Sequence, residues 1–255
     1  MRIVYGPVAS WRLGRSLGVD LLCSKKKICS FDCIYCQLGK TEQLTSRRSS
    51  FVSLDQLEME IKDALAHASM DVITFSGTGE PTLADNMHHA IKIIREFTDI
   101  PLAVLTNSSL LHDKDVQSTL KQLDIIVAKL DASDPQIFQQ INQPATEITF
   151  EQTFEGIKTM RKIFSGKFAL QIMFMRENKK HAPRIAELTE DIQPDEIQIN
   201  TPLRRCDVKP LLKKELDEIE KHFTGLNTIS VYRSSRPMTH PLDKTELIER
   251  RRMEP

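Results

Sequence analysis

Two hydrophobic rhythms alternate along the chain. Continuous apolar runs occur at Gly18–Leu22 (GVDLL), Asp71–Ser76 (DVITFS), Pro101–Asn107 (PLAVLTN) and Leu123–Asp131 (LDIIVAKLD), then at Phe168–Met175 (FALQIMFM), Glu196–Asn200 (EIQIN) and Thr228–Tyr232 (TISVY). Runs without polar alternation suit strands buried on both faces of a parallel sheet. Between them apolar residues recur every third or fourth position. In SLDQLEMEIKDALAHA, Ser53 is placed to cap a helix whose stripe is Leu54, Leu57, Ile61 and Leu65. LADNMHHAIKIIREF, KDVQSTLKQL, TFEQTFEGIKTMRKIF, HAPRIAELTEDI and KKELDEIEKHF share that spacing.

Strand, helix, strand, repeated, predicts right-handed βαβ units. The fold class is α/β: a partial, open βα barrel of six or seven units, in one domain over residues 1–255. Residues 201–255 are expected to form a C-terminal extension on the substrate side. In such folds the chemistry sits at the C-terminal ends of the strands. The polar segments after the early strands, SGTGEPT, TNSS and KLDAS, should therefore face one cavity.

Composition narrows the class. The 255 residues carry 35 Lys+Arg against 35 Asp+Glu, so whole-molecule attraction to nucleic acid or an anionic membrane is not indicated. No apolar run is long enough to cross a bilayer, and the start, MRIVYGPVASWRLGRS, lacks a signal peptide's apolar core. A cytoplasmic location is expected. There, thiols stay reduced and clustered cysteines point to metal binding or catalysis.

Three of the 5 cysteines stand together in KKKICSFDCIYCQLGK, as Cys29, Cys33 and Cys36. A structural zinc site is usually closed by four protein ligands, often as paired CxxC units. Here one group stands alone, while Cys23 and Cys206 are isolated and read as ordinary packed thiols. Three thiolates can hold three irons of a [4Fe-4S] cube and leave the fourth open to a chelating ligand.

CSFDCIYC resembles the signature of the radical S-adenosylmethionine (SAM) enzymes, with Tyr35 just before the last cysteine. SGTGEPTL is similar to that superfamily's glycine-glutamate segment, and TNSSL to its third-strand loop. YGPVASWRLGRSLGVDLL resembles a branch related to the tRNA wyosine-base synthases. The resemblance implies that Cys29, Cys33 and Cys36 hold a [4Fe-4S] cluster whose fourth iron is chelated by SAM. It implies that Gly77, Thr78, Gly79 and Glu80 meet the methionine amino group. Asn107, Ser108 and Asp131 are candidates for the carboxylate and ribose hydroxyls. Tyr35 would border the adenine, and Ile172 or its neighbours would pack on it.

Each of these has a plainer reading. Gly77 and Gly79 also suit a tight turn, Asn107 a loop, and Asp131 the cap of the following helix. Arg12, Arg15, Arg204 and Arg205 are expected to flank the mouth, where they are either solvated or clamp a carboxylate or phosphate. Lys25–Lys27 reads as a solvated run that could meet an acidic electron donor such as flavodoxin or ferredoxin. Arg250–Arg252 reads as an exposed helix end.

Three functions follow as expectations. The first is a radical SAM enzyme acting on a small molecule or peptide. The second is a tRNA-modifying one, with a basic face from Lys25–Lys27, Arg47, Arg48, Arg204 and Arg205 and with Tyr5, Trp11 and Phe51 available for base stacking. The third is a non-enzymatic iron-sulfur carrier or sensor, which would have no use for Gly77–Glu80.

Overall fold

The computed structural model describes residues 1–250. The chain opens with a hairpin of β1 (Val4–Ser10) and β2 (Gly14–Val19), then short strands β3 (Ile28–Cys29) and β4 (Gln43–Leu44) in the cysteine segment. After α1 (Leu54–His67) come β5 (Val72–Phe75), α2 (Met87–Phe97), β6 (Leu102–Thr106), α3 (Lys114–Leu120) and β7 (Ile125–Lys129). Next are α4 (Pro135–Asn142), α5 (Phe150–Ile163), β8 (Lys167–Met173), α6 (Ala182–Ile192) and β9 (Glu196–Asn200). Then follow α7 (Lys213–Glu220), β10 (Thr228–Ser230) and α8 (Lys244–Glu249).

The main sheet has 8 strands in the order β1-β2-β5-β6-β7-β8-β9-β10. Every pairing from β2 to β10 is parallel, while β1 runs antiparallel on β2. The ends of that order do not pair, so the sheet is a curled half-barrel, as the run of βαβ units predicts. The helices follow their amphipathic stripes: Leu57, Ile61 and Ala64 of α1 are buried, and Ser53 accepts from the Gln56 amide.

The hairpin is absent from the sequence reading because β1 does not look like a strand. Pro7 sits in it, and its register with β2 shifts between Tyr5 and Val8. An edge strand tolerates both, since a missing N–H there removes no central ladder bond. The run GVDLL is also displaced: β2 ends at Val19 and Asp20–Leu22 is a turn. Asp20 makes that turn by accepting the amides of Leu22 and Cys23 at 3.1 and 3.0 Å.

Asp20 does more. It accepts the Thr78 amide and hydroxyl at 3.1 and 2.9 Å, and pairs with the Arg250 guanidinium at 2.7 Å. Both side chains of that pair are almost wholly buried, at 1% and 6% exposure. Arg250 is therefore not an exposed helix end. It also bonds Glu246 and the Arg2 carbonyl, and lies 4.2 Å from the Tyr5 ring centroid. Arg251 and Arg252 lie outside the described residues. A buried pair that loses one partner leaves an uncompensated charge. Asp20→Asn should therefore destabilise the protein by about 3 kcal/mol, read as a lower urea midpoint. A midpoint unchanged from wild type would mean that Asp20 is not the tie described here.

Candidate active site

The cysteine loop is held by backbone first. Ile28 and Gly79 form a parallel bridge, with the Glu80 amide donating to the Ile28 carbonyl at 3.2 Å. A β-carbon on Gly79 would stand 1.6 Å from that carbonyl oxygen, and one on Gly77 would stand 2.1 Å from the Asp20 carboxyl carbon. Glycine is required at both places by close approach. The glycine segment thus locks the cysteine loop against the end of β5, beyond forming a simple turn.

Glu80 is buried and its carboxylate is fully engaged inside the protein. It accepts from the Thr82 amide and hydroxyl, the Thr106 hydroxyl and the Asn107 amide, at 3.1, 2.7, 2.7 and 2.7 Å. Burial pushes its pKa up against these donors, which hold it down. Asn107 passes the tie onward: its side-chain amide donates to the Ser30 hydroxyl at 2.8 Å and the Cys29 sulfur at 3.5 Å. Ser108 is buried with φ +75, and its hydroxyl bonds the backbone of Lys129. Thr78 spends its hydroxyl on Asp20. These side chains order the strand-end loops.

Asp131 does not cap the next helix; Asp134 caps α4. Asp131 instead lies buried under the cysteine loop. It accepts from the Tyr35 hydroxyl, the Met173 amide at 2.8 Å and the Asn142 side chain at 3.2 Å, with the Lys129 ammonium 3.4 Å away. Asn142 also donates to the Cys33 sulfur at 3.5 Å. Burial, with Asp131 and Cys33 beside it, holds the Tyr35 phenol well above its usual pKa. Lys129 lies 4.5 Å from the Tyr35 ring centroid.

The thiols lie close enough to influence one another electrostatically. Burial, then the neighbouring Glu80 and Cys33, pushes the Cys29 pKa up. Burial and the Cys36 thiol push Cys33 up to about 11, while Lys129 pulls it down. Thiols so raised are inert until metal displaces their protons. Among the described residues no three His, Cys, Asp or Glu side chains converge tightly enough to hold a single metal ion. A cube needs no such convergence, because each thiolate takes its own iron.

The solvated reading of Lys27 fails. Lys25 and Lys26 are exposed, but Lys27 is 2% exposed. Its ammonium donates to the Gly39 carbonyl at 3.0 Å and lies 3.5 Å from Asp32. Burial pulls its pKa down, but the thiols of Cys36, Cys29 and Cys33 outweigh this and leave it raised. It is the cation inside the cysteine loop. The isolated cysteines differ: Cys23 donates to the Met1 carbonyl beside Asp20 and Arg250, whereas Cys206 donates to the Val208 carbonyl and burial raises its pKa.

A cavity of about 380 Å³ opens beside the loop. Tyr35, Cys36 and Gly77–Gly79 line it, with Gln171 and Met173 from β8. Ile172 points the other way, into a second core with α6, as strand alternation requires. Tyr5, Trp11, Arg12 and Arg204 also line it. Phe51 packs on the main core instead. Arg15 is bound to Asp71 ahead of β5, and Arg205 is exposed outside the lining.

This chain belongs to the radical SAM superfamily, whose family model matches residues 25–189. It is 40% identical over 220 residues to UPF0026 protein slr1464 of a Synechocystis species, covering 86% of this chain and 81% of that one. It is 35% identical over 235 residues to a protein named GTPase Obg from Brachyspira hyodysenteriae, covering 89% of this chain but only 34% of that protein. The fold is similar to SuiB of Streptococcus suis bound to its precursor peptide SuiA, with TM-score 0.64 and 15% identity over 86% of this chain and 49% of that one. It is also similar to archaeal TYW1, with TM-score 0.55 and 13% identity over 84% and 72%. The protein is an enzyme of this superfamily, and its cofactors are the superfamily's [4Fe-4S] cluster and SAM.

Sequence reasoning missed Asp20, Lys27, Asn142 and Lys129. Lys27→Met should lower the cluster's midpoint potential by on the order of 60 mV, a factor of ten in a one-electron equilibrium. A cation close to the cluster favours its more negative, reduced form, so removing it lowers the potential. A redox titration followed by electron paramagnetic resonance checks this, and an unchanged potential would exclude the role. Cys33→Ala should lose iron and sulfide, while Cys206→Ala should keep both; the reverse result would overturn the ligand set.

Proposed function

We propose that this enzyme cleaves SAM reductively and uses the resulting 5′-deoxyadenosyl radical to abstract a hydrogen atom from a small molecule or peptide. In this reading Cys29, Cys33 and Cys36 hold the cluster. Bound there, the cluster would supply the one electron that splits the sulfur–C5′ bond of SAM into methionine and a 5′-deoxyadenosyl radical, chemistry that belongs to the cofactor. The observation that carries the reading is the sharing of one cavity by Cys36, Tyr35 and Gly77–Gly79.

The chain's own residues prepare that cavity. Gly77 and Gly79 line it, pressed against Asp20 and the Ile28 carbonyl, and so hold their backbone where the methionine end of SAM would lie. Glu80 and Asn107 act by fixing the loops, and Asn107 and Asn142 each give an N–H to a cysteine sulfur, a contact that tunes such clusters. Asp131 fixes Tyr35 through its hydroxyl. Gln171 and Met173 face the adenosyl and substrate side. The segment Thr201–Arg204 closes over it, with Arg204 donating to Gln37 of the cysteine loop at 2.7 Å. Residues beyond 200 thus supply substrate contacts.

A cavity of this volume, about 380 Å³, suits a cofactor and a compact substrate group. The basic face expected of a tRNA enzyme is thinner than the sequence suggests. Lys27 is internal, and Arg48 is tied to the Thr82 carbonyl at 3.1 Å. An acidic flavodoxin or ferredoxin remains the fitting electron donor, approaching exposed Lys25 and Lys26.

With the cluster rebuilt without oxygen, addition of SAM and dithionite should yield 5′-deoxyadenosine and methionine by mass spectrometry. Cys33→Ala should yield neither. Wild-type protein that holds four irons yet binds no SAM would overturn this reading.

A further inference from the structure

The cavity holds a charge imbalance that the radical chemistry does not use. Its lining contains Arg12, Arg204, Arg236 and Arg250 and not one Asp or Glu among the described residues. Arg250 is accounted for by Asp20 and Glu246, and Arg204 is engaged as well, Gln37 being one of its partners. Arg12, Arg204 and Arg236 converge from separate parts of the chain. Arg12 lies at the β1–β2 hairpin turn, Arg204 follows β9 and Arg236 follows β10.

Arg12 is the telling member. Its Nε is buried and has no hydrogen-bond partner, and its guanidinium lies 5.4 Å from the Trp11 ring centroid. Burial and the like charges of Arg204 and Arg236 lower its pKa to about 10, so it stays charged at neutral pH. Cations held against one another around a buried, unused donor are costly unless an anion joins them. Guanidiniums also match carboxylate and phosphate geometry with paired donors.

We propose that Arg12 and Arg236, with Arg204 beside them, bind a phosphate or carboxylate group of the small-molecule substrate. This rests on the radical SAM reading of the cavity and names its substrate class: an anionic compound. The aromatic ring of Trp11, beneath Arg12, is placed to pack on an apolar or flat part of the same molecule. A second source of the same chemistry exists, the carboxylate of SAM itself, and the experiment separates the two.

Cluster-loaded protein is titrated without oxygen with inorganic pyrophosphate and, separately, with SAM, by calorimetry. Wild type should bind pyrophosphate, more weakly as salt rises. Arg12→Gln and Arg236→Gln should each weaken that binding about tenfold with SAM affinity unchanged. Arg236 is exposed, so its variant decides the matter if Arg12→Gln fails to fold. No pyrophosphate binding by wild type, or wild-type binding by both variants, overturns the site. Loss of SAM affinity in the variants would assign the arginines to SAM's carboxylate and overturn the substrate assignment. Arginine-dependent pyrophosphate binding without any SAM binding would leave the anion site standing and remove the radical reading instead.

Discussion

Three buried carboxylates hold the working end of this half-barrel together. Asp20 follows β2, Glu80 follows β5 and Asp131 follows β7. An ionised carboxylate cannot be buried without donors, and each unsatisfied lone pair costs stability. Each acid therefore dictates where its donors stand. Asp20 gathers Thr78 and Arg250, Glu80 gathers Thr82, Thr106 and Asn107, and Asp131 gathers Tyr35, Asn142 and the Met173 amide. These donors come from neighbouring strand ends and the cysteine loop. The strand-end loops and the cysteine loop thereby form one fixed frame, on which the proposed reading seats the cluster and its ligand.

The frame also sets the charge around the thiols. Lys27 and Lys129 bring cations to the cysteine loop, while Glu80 acts against them at Cys29 and Asp131 at Cys33. Away from water such charges interact more strongly than they would at the surface. The two side-chain amides on Cys29 and Cys33 add donors to the same sulfurs. Positioning and electronic tuning are thus done by the same residues. Removing one should disturb both, and an assay of activity alone would not separate them.

Much of this was legible in the sequence because it depends on local pattern. The parallel strands are buried on both faces, so EIQIN and its counterparts stand out as unbroken apolar runs, and β9 matches Glu196–Asn200. The cysteine spacing is equally local. What escaped depends on distant partners. Lys27 looks like its exposed neighbours until the loop folds over it, and Arg250 looks like a helix end until Asp20, 230 residues earlier, receives it. Side-chain direction was hidden as well: Ser108 turns to Lys129 and Ile172 turns to α6, so the residues facing the cavity are Gln171 and Met173.

In the proposed reading the unpaired edges of the sheet set the substrate specificity. A closed barrel would leave little room between β1 and β10. Here the gap is bordered by the hairpin turn carrying Trp11 and Arg12 and by the segments after β9 and β10 carrying Arg204 and Arg236. None of these belongs to the frame built on the buried acids. In the proposed reading, changes at Trp11, Arg12 or Arg236 would alter which substrate enters while leaving the cysteine loop in place, whereas Arg204 also holds Gln37 of that loop. On that proposal the fold keeps the hard chemistry on rigid strand ends and leaves recognition to the open edge, where the arginines stand.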